Sequence, residues 1–269
     1  MNTIKRRCTG STPVGLLNAD QHCQNNIIYF RERNLDMLKK DLILRNPLRL
    51  IEHETEDILP EGGFGAVLSR AGIGKTAFIV QLALNNILRD KNVLHISLAD
   101  PVNKVSLWYE ETLRNIALLY DIKPIDKLYE AILAHRLIMT FQVGGFSVPK
   151  LAERLSDITE QNIFRPQMML IDGLPFDDTT YDSLSELKVF AKQHGLHVWV
   201  TIRTHRHENE SPDGLPLQFT GVSDLFEVAI QLQPEGEQIH VNLLKGKSIA
   251  TSNTQFFLDP ATMLIKDSM

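Results

Sequence analysis

Two kinds of apolar pattern alternate along the chain. Short apolar runs occur at Phe64–Leu68, Val93–Leu98, Leu137–Phe141, Gln167–Ile171 and Leu196–Ile202. Runs of this length with little polar alternation are expected of strands buried on both faces. Between them lie segments with helical spacing. Lys75–Arg89 is apolar nearly all round, through Ala77, Phe78, Ile79, Val80, Leu82, Ala83, Leu84, Ile87 and Leu88, which predicts a buried helix. Asn103–Tyr120 and Asp126–His135 read as two more helices. Val148, Leu151, Ala152, Leu155 and Ile158 recur on one helical face, behind Ser147 as a candidate cap. Leu184, Leu187, Phe190 and Ala191 mark another helix, which Gly195 stops.

The flanks read differently. Residues 1–26 are polar and aperiodic, as expected of a disordered tail. Ile27–Leu44 reads as a helical arm ended by Pro47. Pro60-Glu61-Gly62-Gly63 is a turn that delivers the first strand. Residues 203–222 are polar, with Pro212, Gly214, Pro216 and Gly221, and read as a long functional loop. Phe226–Leu232 and Gln238–Leu244, joined by Pro234-Glu235-Gly236-Glu237, predict an antiparallel hairpin, and Thr254–Leu258 and Met263–Lys266 close the chain. The expected organisation is a tail and arm over 1–44 and one α/β domain over 45–269. Strand–helix alternation from 64 to 202 predicts a mostly parallel sheet with helices on both faces. Such sheets bind ligands beyond the carboxyl ends of their strands.

Composition narrows the function. The 269 residues carry 28 basic and 33 acidic side chains, a net charge of −5. That argues against a broad nucleic-acid-binding surface while leaving a local basic groove, and DNA as a partner, open. Cys8 and Cys23 are the two cysteines, which gives no disulfide framework, and Cys23 beside His22 is too small a group for a metal site. No apolar run reaches the ~20 residues of a membrane span. The start has no signal-peptide core, so the expected location is cytoplasmic, with no membrane partner.

The candidate chemistry sits at the strand ends. The first strand runs into Ser69-Arg70-Ala71-Gly72-Ile73-Gly74-Lys75-Thr76, and Ala77 opens the helix. Strand, glycine-bearing loop, Lys-Thr and helix is the layout of a phosphate-binding P-loop. Its glycines let several backbone N–H groups face one anion, and the helix N-terminus adds its positive dipole end. Lys75 is suited to the β- and γ-phosphates of ATP, and the Thr76 hydroxyl to Mg²⁺. The pattern asks for glycine where Ser69 stands. Asp172, after Met168-Met169-Leu170-Ile171, is the expected second Mg²⁺ ligand. Asp100, after Ser97-Leu98-Ala99, has two readings, a group that orients water or a cap for the helix beyond Pro101. Glu110 and Glu111 read as solvated, as do His205 and His207. Thr201 and Arg203 end the next strand, where a γ-phosphate can be sensed.

These residues resemble the RecA-like motor ATPases, in particular the motor domain of replicative hexameric helicases and the circadian-clock and RadA-type ATPases. The resemblance is carried by Ser69–Phe78, by Ser97-Leu98-Ala99-Asp100, by Met169–Leu174 and by Lys245-Gly246-Lys247. It implies a RecA-like sheet with a C-terminal antiparallel hairpin and Mg·ATP hydrolysis in a homo-oligomer. It further implies that Lys245 and Lys247 reach the nucleotide of a neighbouring subunit. The family's catalytic Glu is replaced by Ala99, so slow hydrolysis is expected, and the family's N-terminal helicase domain has no counterpart here. Three readings follow: a slow ATPase, a nucleotide-dependent regulatory binding module with vestigial hydrolysis, and a DNA-acting motor or loader.

Overall fold

The computed structural model describes residues 35–50, 58–123, 125–141, 144–176, 180–204, 214–246 and 255–267. The chain forms two units, Met1–Asp41 and Leu42–Met269. Of the expected arm, residues 35–45 are helical (α1), and the tail lies outside the described residues. A short 3-10 turn, Pro47–Leu50, follows.

From residue 64 to 203 strands of the larger unit are separated by helices. β1 (Phe64–Ser69) leads to α2 (Lys75–Ile87), β2 (Val93–Ser97), α3 (Val102–Leu119), α4 (Ile125–Leu133) and β3 (Arg136–Thr140). Then come α5 (Val148–Glu160), β4 (Met168–Asp172), α6 (Thr180–His194) and β5 (His197–Arg203). A four-residue helix α7 (Leu217–Thr220) precedes β6 (Val228–Glu235), β7 (Gln238–Lys245), β8 (Phe256–Leu258) and β9 (Ile265–Asp267). The strands form one sheet in the order β3-β2-β4-β5-β1-β6-β7-β8-β9. The first six in that order are mutually parallel, and β7, β8 and β9 add on antiparallel.

The apolar runs become strands because both faces are covered. Phe64, Ala66, Leu68, Leu94, Ile96, Met169, Ile171, Val198, Val200 and Ile202 pack with Leu151 and Leu155 of α5 and Leu184, Leu187 and Ala191 of α6. The alternate residues face α2 and α3, since successive strand side chains point to opposite faces. Position 65 lies on that second face and is a glycine because Trp199 of β5 occupies the space, its ring 2.5 Å from where a Cβ would stand. All residues of α2 from Ala77 to Ile87 are buried, including Gln81, Asn85 and Asn86.

Two expectations change. Within the expected loop 203–222, residues 205–213 lie outside the described residues, Leu217–Thr220 form α7, and Phe219 is fully buried against Phe226; a 3-10 turn at Ser223–Leu225 follows. Ser147 is the first residue of α5's cap, but its hydroxyl makes no capping hydrogen bond.

Candidate functional site

The residues singled out by chemistry converge at the carboxyl ends of four neighbouring strands. Ser69 ends β1, Ser97 ends β2, Asp172 ends β4 and Arg203 ends β5. The loop from Arg70 to Gly74 bridges β1 to α2, whose first residues are Lys75 and Thr76. Gly72 and Gly74 have φ of +78° and +109°, the left-handed region that an L side chain rarely adopts. Above Gly72 the space is open, whereas Gly74 is close-packed, with Leu258 Cδ2 2.7 Å from where a Cβ would stand. The loop needs Gly74 on both counts. Gly74 is also the N-cap of α2, and a glycine leaves the helix's first N–H groups without a side-chain partner there.

Lys75 folds back over the loop. Its ammonium donates to the Ser69 carbonyl at 2.9 Å, the Arg70 carbonyl at 2.9 Å and Ser69 Oγ at 3.3 Å. Ser69, at the position the motif reserves for glycine, thus gives the lysine an extra acceptor. Burial pulls the Lys75 pKa down to about 8; nearby Asp172 opposes the shift and Arg203 adds to it.

Thr76 and Asp172, 96 residues apart in sequence, meet directly. Thr76 Oγ1 donates to Asp172 Oδ2 at 2.7 Å, and Thr201 Oγ1 donates to Asp172 Oδ1 at 2.6 Å. The Gly173 N–H in turn donates to Thr201 Oγ1 at 3.0 Å. Both carboxylate oxygens are therefore held by hydroxyls, which orients the group. A hydroxyl beside a single carboxylate suits Mg²⁺, which takes one or two protein oxygens and completes its octahedron with phosphate and water. Among the described residues no cluster of three His, Cys, Asp or Glu stands ready for a metal. The hydroxyl and carboxylate fit a Mg²⁺ that arrives with a polyphosphate.

Of the two expectations for Asp100, the helix cap is not found. Pro101, not Asp100, is the cap residue of α3, and the Asp100 carboxylate is ion-paired to Lys104 at 2.8 Å. Its N–H donates to Ser97 Oγ at 2.9 Å. Ala99 packs against Gly173, its methyl 3.1 Å from where a Gly173 Cβ would stand. The methyl thus borders the loop that follows Asp172.

Lys245 lies at the other end of the sheet. β7 runs antiparallel, so Lys245 pairs with Ala229 near the start of β6, and its ammonium donates to the Ser223 carbonyl at 2.6 Å. In its own chain it is remote from the phosphate loop. Lys247, His205 and His207 lie outside the described residues.

Two polar residues escaped the sequence reading. His95 is fully buried in the middle of β2, on the face of Ser97 and Asp172, with Nδ1 3.1 Å from the Tyr109 hydroxyl. Burial pulls its pKa down to about 4, so the ring is neutral at physiological pH. The signal was a histidine in the middle of the run Val93–Leu98, whose other polar residue is Ser97. Gln81, buried in α2, ties down the C-terminal segment that covers Gly74: it donates to the Met263 carbonyl at 2.8 Å and accepts from the Ile265 N–H at 2.8 Å. No periodicity marks such a clamp.

No protein-family model matches the chain, and no curated protein matches it. Among the described residues, no helix is long and apolar enough to cross a membrane.

Proposed function

We propose that the chain is a Mg·ATP-binding, RecA-like ATPase domain whose hydrolysis is slow. The observation that carries the reading is the meeting of Thr76 and Asp172 beside Lys75, at the mouth of a glycine loop that opens a helix. Backbone N–H groups and the helix dipole bind the phosphates. Lys75 would neutralise their charge, and Thr76 with Asp172 would hold a Mg²⁺ that supplies further charge neutralisation to the phosphates. The fold supports the same reading: six parallel strands with loop and acid at their carboxyl ends, extended by an antiparallel hairpin, is the architecture the RecA-like resemblance implies.

Hydrolysis adds water to the γ-phosphorus, breaks the bond to ADP and releases a proton from the water. A carboxylate placed to take that proton contributes about 10²–10⁴-fold in comparable reactions. Ala99 cannot do so, and Asp100 is engaged by Lys104. This same observation favours a second reading, a regulatory module that responds to bound ATP and in which turnover is vestigial.

Calorimetry with Mg·ATP tests the first premise. Lys75→Ala should weaken binding at least about tenfold, the worth of a charge-assisted hydrogen bond. Unchanged affinity in that variant would remove the nucleotide reading.

A further inference from the structure

We propose that the outer face of α3 is a dimer interface, on which two copies of this chain pair antiparallel about a two-fold axis. The pairing does not depend on the nucleotide reading.

α3 already has an inward face of its own. Val105, Tyr109, Thr112, Leu113 and Ala117 are buried. The opposite side of such a helix is ordinarily polar. Here it carries Leu107 and Leu118, 52% and 73% exposed, with Glu111 and Arg114 exposed between them. At about 100° per residue these side chains fall within about 60° of one another, in one stripe. Their spacing of four, three and four residues is that of a seam between paired helices. Trp108, half-buried, borders the stripe.

Two exposed leucines alone would mean little, since single apolar side chains are common on protein surfaces. The order along the stripe is what selects the partner. It reads apolar, acid, base, apolar, so the same stripe run backwards is its own complement. A two-fold axis passing midway between Thr112 and Leu113 sets Leu107 of each copy opposite Leu118 of the other, and Glu111 opposite Arg114. Symmetry makes each of these contacts twice. A parallel pair would set acid against acid and base against base.

The two charges are also uncommitted. Among the described residues, neither Glu111 nor Arg114 has a hydrogen bond or an ion pair. Glu110, one turn before Arg114, is taken by the Tyr129 hydroxyl, which donates to it at 2.8 Å. The two leucines stand about 16 Å apart along the helix, so the contact spreads over about three turns. A helix pair of this length is at the small end of specific interfaces, and the association it supports is reversible and micromolar.

The test is sedimentation velocity of the full chain from about 1 to about 200 µM, a range that brackets micromolar association. Thermal melts by circular dichroism run alongside. The parent should pass from monomer to dimer over that range. Glu111→Arg and Arg114→Glu, each alone, turn two attractive contacts into two repulsive ones and should weaken dimerisation at least about tenfold. Both should melt as the parent does, because the two positions are exposed. An equimolar mixture of the two variants should dimerise again, since each copy supplies the charge that the other lacks. The double variant Glu111→Arg/Arg114→Glu should do so too, at the parent's net charge of −5. A parent that stays monomeric to the top of the range would overturn the proposal and leave the face to a different protein. Self-association that neither single variant weakens would overturn it as well, placing the interface elsewhere on the chain. Monomeric single variants rescued by neither the mixture nor the double variant would overturn the antiparallel pairing.

Discussion

Lys75 holds its charge at a disadvantage in the folded chain. Its pKa falls from the ordinary 10.5 to about 8, chiefly because burial strips water from the ammonium. The unfolded chain therefore keeps this proton between pH 8 and 10.5 while the folded chain gives it up. The charge costs stability below pH 8, and that cost is relieved as pH rises to 10.5. Nucleotide binding has the opposite sign, because phosphate restores the proton. Affinity for Mg·ATP should be level up to about pH 8 and decline above it, with proton uptake near pH 8 to 9. Calorimetry in two buffers of different ionisation enthalpy reads that uptake, and its absence would place Lys75 away from the phosphates.

The same scale separates Ala99 from Asp100. Ala99 borders Gly173, next to Asp172, the acid proposed to hold Mg²⁺, so a carboxylate introduced there enters the candidate site. Ala99→Glu should raise steady-state ATP turnover by about 100-fold, the lower end for a positioned base. Asp100→Asn should leave turnover unchanged, since the carboxylate serves Lys104. A fall in rate in that variant would make Asp100 the water-orienting group after all. Asp100 shows where sequence reading stops. A strand-end acid is visible in the sequence, but whether its partner is a water or a lysine four residues on is decided by helix geometry.

At the scale of elements, the strands buried on both faces were the most legible. Their apolar runs have no alternation to misread, and the ends found for β1, β2, β4 and β5 lie within a residue of those expected. α7 was not legible because four residues are too few for a helical period, and its buried Phe219 stands alone in a polar segment. Strand order was not legible either, for β1 and β2 are consecutive in sequence yet separated by β4 and β5 in the sheet. The Gln81 clamp belongs to this scale too. One side chain joins α2 to β9 and to the turn before it, and Asn115 of α3 adds a donor to the Thr262 carbonyl at 3.0 Å. Gln81→Leu removes both partners of buried backbone groups and should cost about 2–4 kcal/mol in denaturant unfolding. Because Leu258 in the same segment seals Gly74, the variant's ATP affinity should fall with its stability. A midpoint equal to the parent's would show that the C-terminal strands are held by other contacts.

For the whole molecule, the question is whether one chain completes its own site. Lys245 is the residue that would require a second chain. It sits across from Ala229, while Ala229 itself pairs with Ala66, three residues short of the loop-bearing Ser69. At about 3.3 Å per residue that is about 10 Å along the sheet, away from the phosphates and two strands over. Its ammonium is already committed to the Ser223 carbonyl. To serve any nucleotide it would have to leave that acceptor and meet another chain's site. If one chain completes its own site, turnover per chain should stay constant across a hundredfold dilution. Lys245→Ala/Lys247→Ala protein should keep most of its turnover, and mixing it with Lys75→Ala protein should give only the sum of the two separate rates. Turnover that rises faster than linearly with concentration, or a mixture more active than that sum, would instead mean that neighbouring chains complete one another's sites through the lysines.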